Sequence, residues 1–231
     1  MRNSLRLFLL VLPAVGALAG CSGDSKSPLD NWTGKTFLLD KFPNSRWVAP
    51  KSGGGSSMGD YVPQFFIGVA AGSGDSLDIT LATGLGGVQD MCSPTTPVPV
   101  TGVKYPDLQI TAPTLPMRLT ETDPDYAKVV PVIAHDVTLK NILPGRNENT
   151  PSGELTATLD MADAYPLFHL VDNPTKDSVC AAFADAGVVC QTCAFNGQPY
   201  CLTFRAVQLV ATEFPTPIQK LSPSDIPASC P

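Results

Sequence analysis

The sequence predicts a mainly β fold, an antiparallel barrel or sandwich with one or two short helices and a disulfide-stapled C-terminal segment. Three observations carry that expectation. Short apolar runs alternate with polar residues at a period of two, the signature of half-buried strands. Turn-forming residues separate these runs, and the helices that parallel crossovers require are lacking. Setting aside Cys21 leaves six cysteines, Cys92, Cys180, Cys190, Cys193, Cys201 and Cys230, four of them bunched between positions 180 and 201.

The first plausible strand is Thr36 to Asp40, bracketed by Trp32 and Trp47. A tryptophan near the start of a small barrel can plug its closed end, as in lipocalins, but the order Trp32-Thr33-Gly34 does not match their Gly-x-Trp motif. Ser52 to Asp60, with Gly53-Gly54-Gly55, reads as a loop. Tyr61 to Ala70 and Leu77 to Thr83 flank a turn-rich joint and read as a hairpin. In its second arm Leu77, Ile79 and Leu81 alternate with Asp78 and Thr80, which predicts one dry face and one wet face.

After a proline-rich stretch from Ser93 to Val100, strands are expected at Leu108 to Ile110, Met117 to Thr120, Val129 to Leu139, Gly153 to Leu159 and Cys201 to Ala211. Gly153 to Leu159 alternates most cleanly, Leu155, Ala157 and Leu159 against Glu154, Thr156 and Thr158. Two helical insertions are expected. Met161 to Phe168 follows a possible Asp160 cap and contains Pro166. Thr175 to Ala186 follows Asn173 as cap and Pro174 at the first helical position, with Val179 and Phe183 on one face and Gly187 as stop. Beyond Glu213 the proline-rich chain is expected to run along the surface, its end tied down by Cys230.

Six thiols allow 15 pairings, and sequence alone does not choose among them. The crowding between 180 and 201 calls for at least two bridges there, each contributing on the order of 2 to 4 kcal/mol. Zinc ligation by Cys180, Cys190, Cys193 and Cys201 is the alternative, although one Cys-x-x-Cys is half of a ribbon signature. A redox pair at Cys190 and Cys193 needs a helix opening at the first thiol, and a turn containing Gly197 follows instead.

At the N-terminus, Arg2 and Arg6 precede an apolar run from Leu7 to Ala19. A charged segment before a short apolar one is a secretory signal, and this run is shorter than the roughly 20 residues that span a hydrocarbon core. It ends in Leu18-Ala19-Gly20-Cys21, which resembles the lipobox of type II signal peptides. The resemblance implies cleavage between Gly20 and Cys21, acylation of the Cys21 thiol, and a bacterial lipoprotein whose palmitate-type chains anchor it to a membrane. One acyl chain binds marginally at about 0.8 kcal/mol per methylene, so two or three make the anchor effectively permanent. Ser22, in place of an aspartate, points to the outer membrane of the cell envelope. The division expected is a signal peptide over 1–20, a lipid anchor and flexible tether over 21–31, and a single β-rich domain over 32–231. In its proline-spaced strands and clustered C-terminal cysteines the mature chain resembles uncharacterised envelope lipoproteins of the myxobacterial type; that resemblance implies no activity and no site residue.

Losing Arg2 and Arg6 from 15 basic residues leaves 13 against 21 acidic ones, a formal charge of -8. Such a balance excludes the clustered basic footprint of a nucleic-acid binder. Glycine (19) and proline (23) together make about 18% of the chain, below the roughly 25 to 30% that signals disorder.

Signatures of chemistry are sparse. His135 lies in apparent register with Ile133, Val137 and Leu139, which predicts a partly buried ring, and strand neighbours His135 and Asp136 should face opposite ways. His169 falls at a helix end. No nucleophile elbow, His-Glu-x-x-His or phosphate loop occurs. Asp40, Asp60, Asp75, Asp78 and Asp90 read as ordinary surface acids rather than a glycosidase pair or calcium loop. The expectation is a non-enzyme with no cofactor and no metal, a membrane-anchored module that binds a small or apolar ligand inside the fold or at its mouth. The alternative is a structural or adhesive lipoprotein working by contact with an envelope protein, and the third is a hydrolase with scattered residues.

Overall fold

The computed structural model describes residues 28–40, 46–49, 61–73, 75–121, 128–144, 152–167, 174–185 and 187–230. The leader, Gly20 and Cys21, the start of the tether, the glycine loop at 53–55, Asp60, His169 and Asn173 lie outside the described residues. The fold is mainly β, as the alternating pattern predicts. Two antiparallel sheets share one apolar core, and no strand pairing among the described residues joins them, so the architecture is a sandwich rather than a closed barrel.

The first sheet contains β1 (Thr36–Leu39), β3 (Gln64–Ala71), β4 (Leu77–Leu85), β5 (Val88–Gln89), β6 (Thr96–Val100) and β11 (Thr212–Phe214), in the order β11-β1-β3-β4, with β5 and β6 both on β4. The second contains β2 (Trp47–Ala49), β7 (Gln109–Glu121), β8 (Lys128–Lys140), β9 (Gly153–Asp160) and β10 (Cys201–Leu209), in the order β2-β10-β9-β8-β7. The expected 61–83 hairpin forms as β3 and β4, with Phe66 opposite Ala82 and Gly68 opposite Thr80.

Three departures from the sequence reading have identifiable causes. Gln109–Ile110 and Met117–Thr120 belong to one strand, β7, because the intervening Thr111, Ala112, Thr114 and Leu115 continue the pairing with β8, while Leu108 precedes it. Pro113 and Pro116 are tolerated there since β7 is an edge strand. The stretch after Ser93 contains β6, whose Pro97 and Pro99 sit on the other edge. Short β2, β5 and β11 carry too few residues for a period to be read from sequence.

Most of the outer face of the first sheet is also buried, although Asp78 stays exposed as expected. Thr36, Phe66, Thr80 and Ala82 on that face are all covered, so Thr80, expected to be wet, is dry. The cover is the C-terminal segment. Phe214 meets Phe66 edge to face at 5.1 Å between ring centroids. Ile218 lies over Gly68, where its Cδ1 is 3.1 Å from the position a β-carbon would take. Gln219 exchanges two hydrogen bonds with Gln89, Leu221 is held by Thr95, and the Cys92–Cys230 disulfide closes the strap.

The helices form close to expectation. In α1 (Met161–Ala164) the Asp160 carboxylate accepts from the Ala162 amide at 2.8 Å, and Pro166 falls in the 3₁₀ turn Tyr165–Leu167 that follows. At the start of α2 (Lys176–Asp185) the Thr175 hydroxyl accepts from the Ser178 amide while Ser178 Oγ accepts from the Thr175 amide, a capping box; Asn173, the expected cap, lies outside the described residues. Pro174 therefore precedes the helix. Val179 and Phe183 face the core, and Gly187 at φ +81° ends the helix, with the Val188 amide donating to the Phe183 carbonyl.

Candidate functional site

Among the described residues, the inner faces of the two sheets pack into one apolar core. Trp32 is fully buried, donates from Nε1 to the Pro144 carbonyl at 2.9 Å and packs on Tyr105, closing one end. The void lined by Trp47, Phe65, Met117, Leu155 and Phe204 measures about 20 Å³, room for one water.

A larger opening lies beside the β4–β5 hairpin. Leu85 and Val88 are directly paired across the two-residue loop Gly86-Gly87, both glycines at positive φ, the conformation of a type I′ turn. The turn projects Leu85 (43% exposed) and Val88 (66%) into solvent, and Met91 (40%) follows from the next turn. With Val62, Val129 and Arg118 these residues line a cleft of about 260 Å³. Gly84 is required at its base. A β-carbon there would lie 2.3 Å from both Phe66 Cε2 and the Val88 carbonyl oxygen, so no side chain fits without moving backbone.

The polar element of the cleft is an ion pair. Arg118 Nη1 donates to Asp90 Oδ1 at 3.1 Å, with both side chains largely buried (15% and 17% exposed). Asp90 also accepts from the Cys92 amide at 2.9 Å and the Ser93 hydroxyl at 3.0 Å, so its carboxylate is held in place. Arg118 Nε is buried and has no acceptor among the described residues. A second, more polar depression of about 410 Å³ is lined by Lys104, Asp107, Lys140 and Asn141 at the start of β7.

All six expected cysteines are in disulfides: Cys92–Cys230, Cys180–Cys190 and Cys193–Cys201. Cys190 and Cys193 bond to different partners, so they are not a redox couple, and no thiolate of the four remains for zinc. Two bridges staple 180–201, as the crowding demands. Three disulfides are the chemistry of an oxidising compartment outside the cytosol. Among the described residues no helix is long and apolar enough to cross a membrane, and no three metal-ligating side chains gather.

His135 is not in register with Val137 and Leu139. Asp136, at φ +51°, forms a bulge against β9, and the alternation resets across it. Val137 and Leu139 point into the core, whereas His135 shares the outer face with exposed Ile133. Its ring stacks on Phe195 at 3.5 Å between centroids. Asn196 anchors the same loop by donating to Asp160 Oδ2 at 2.8 Å. Nearby Asp163 has its carboxyl pushed up by burial and by the Asp160 charge, against a smaller opposing pull from His135. Of the acids singled out by sequence that are described, Asp40 accepts from Gln64, Asp75 and Asp78 are exposed, and Asp90 lines the cleft.

The sequence reading did not single out Arg118, Leu85, Val88 or Met91. The signal present was Gly86-Gly87, a hairpin turn placing apolar residues at an exposed tip. Compared with protein-family models, curated proteins and solved structures, the chain finds no match.

Proposed function

We propose that the protein is an envelope lipoprotein, tethered through acylated Cys21, whose sandwich binds a small amphipathic ligand in the cleft between the β4–β5 hairpin and β7. The observation that carries the binding reading is the contrast between the openings. Ligand sites usually enclose roughly 300 Å³ or more, with apolar walls and a few placed polar groups. The inter-sheet void of about 20 Å³ is far below that scale; the depression of about 410 Å³ reaches it, but Lys104, Asp107, Gln109, Lys140 and Asn141 make its wall polar, while the cleft of about 260 Å³ approaches it with an apolar wall. Leu85, Val88 and Met91 supply the apolar wall, and the Arg118–Asp90 pair supplies the polar end. The ligand then sits at the mouth of the fold, beside the C-terminal strap.

A lipid anchor suits such a role because it holds the cleft near a membrane surface, where amphipathic molecules concentrate. Radiolabelled palmitate should enter the protein in its host and should be lost with Cys21→Ser. For the cleft, an environment-sensitive apolar dye should brighten with the parent protein and stay dark with Val88→Glu at unchanged thermal stability. Equal brightening by both proteins would discard the cleft.

The contact reading draws on a different surface, the exposed Ile133 and the half-exposed ring of Phe195 on the outer face of the second sheet. Site-specific photocrosslinking from position 133 in intact envelopes tests it: one recurrent protein adduct supports contact, and none removes it.

A further inference from the structure

We infer that the ligand of this cleft is an aliphatic carboxylate, a single acyl chain lying against Leu85, Val88 and Met91 with its carboxylate on the Arg118 guanidinium. The inference rests on the cleft reading and adds the chemistry of the occupant.

A guanidinium carries five N–H donors in a planar fork that matches a carboxylate. Asp90 takes one of Arg118's donors, from Nη1. Asp90 itself is occupied by the Cys92 amide and the Ser93 hydroxyl, so it orients Arg118 without covering the fork. Nη2 and the second donor of Nη1 have no acceptor among the described residues, and a carboxylate in the cleft that Arg118 lines takes them as a pair.

The remainder of the lining argues for an acyl chain over a peptide terminus. Capture of a peptide carboxylate normally uses a nest of backbone amides. Here the Gly87 amide donates to Gln64 Oε1, the Asp90 amide to the Thr83 carbonyl and the Cys92 amide to Asp90, while Pro63 has no N–H. A peptide would leave its own amides facing Leu85, Val88 and Met91 without partners, whereas methylenes have none to satisfy. The cleft volume, just under the range of ligand sites, suits one chain of medium length.

The test compares decanoate with decanol, equal in chain length and different in charge, by calorimetric titration of the full chain carrying Cys21→Ser so that no attached acyl group competes. Decanoate should bind at least about tenfold more tightly, as a charge-assisted bidentate contact requires. Arg118→Gln should bring the two within about twofold of each other by weakening decanoate alone. Arg118→Lys keeps the charge and loses the fork, and serves if the glutamine variant does not fold; it should weaken decanoate by about three- to fivefold. If decanol and decanoate bind equally well, or Arg118→Lys binds decanoate as the parent does, the carboxylate assignment is wrong while the cleft stands. If neither binds, the cleft reading fails with it. Tighter binding of an apolar tripeptide with a free C-terminus than of decanoate would replace the acyl chain by a peptide.

Discussion

The two sheets of this molecule solve the same problem in opposite ways. The first buries its inner face against the core and most of its outer face beneath the C-terminal strap, whose Phe214, Ile218 and Leu221 lie far from β3 and β4 in sequence. Among the described residues, the second leaves most of its outer face to solvent, lined by Thr111, Thr138, Thr156, Thr158 and Thr203, and receives the disulfide-bonded loop through Phe195 and Asn196. Stability that depends on a remote segment is therefore concentrated in the first sheet, which also carries the cleft. The second is held through its own strand pairings, including the long-range one of β2 with β10.

Breaking the strap should have the largest effect. Cys92 and Cys230 are 138 residues apart, and opening that loop in Cys92→Ser/Cys230→Ser should cost about 5 kcal/mol by chain entropy, read by urea denaturation. The equivalent change at Cys193 and Cys201, 8 residues apart, should cost about 2.5 kcal/mol. Equal losses would mean that the strap is no more than a surface trimming. Phe66→Ala should cost about 3 to 5 kcal/mol although its side chain faces away from the main core, whereas Thr158→Ala on the open face of the other sheet should stay within about 0.5 kcal/mol.

Smaller effects sharpen the contrast on the second sheet. Phe195→Ala removes the stack on His135 and should cost about 0.5 to 1.5 kcal/mol, with the loss confined to the 193–201 loop in hydrogen exchange. The smallest effect concerns Glu154, which Arg205 grips at 2.8 Å and 3.1 Å. That hydrogen bond holds the Glu154 carboxyl below its ordinary value of 4.5. The unfolded chain thus binds the proton more readily, so the contribution is present above that value and fades as pH falls through the lower folded one. Both partners are reached by solvent, which screens the pair and keeps its contribution small. Glu154→Gln should flatten the acid limb of stability by that small amount.

The same contrast explains what could be read from sequence. β9 was legible because one face is dry and the other wet, so Leu155 and Leu159 stand out from Glu154 and Thr156. In β3 the run Phe65-Phe66-Ile67 is apolar throughout because both faces are covered, and no local pattern names the residues that cover Phe66. The bulge at Asp136 was illegible for a related reason. An aspartate at positive φ leaves no periodic mark, and one extra residue turned His135 outward. Cysteine crowding foretold two bridges in the 180–201 segment, but their pairing depends on how α2 and the following loop dock. Asp90 was visible as an acid and Arg118 as a base, yet 28 positions separate them and only the sandwich brings them together.

The central claim is that ligand meets this protein at the hairpin cleft and not between the sheets. Methyl chemical shifts followed during titration with decanol test it most directly. The account predicts movement at Leu85, Val88, Met91 and Val129, with Met117, Leu155 and Leu159 unmoved. Movement of the inter-sheet methyls with the hairpin silent would contradict it and return the ligand to the interior.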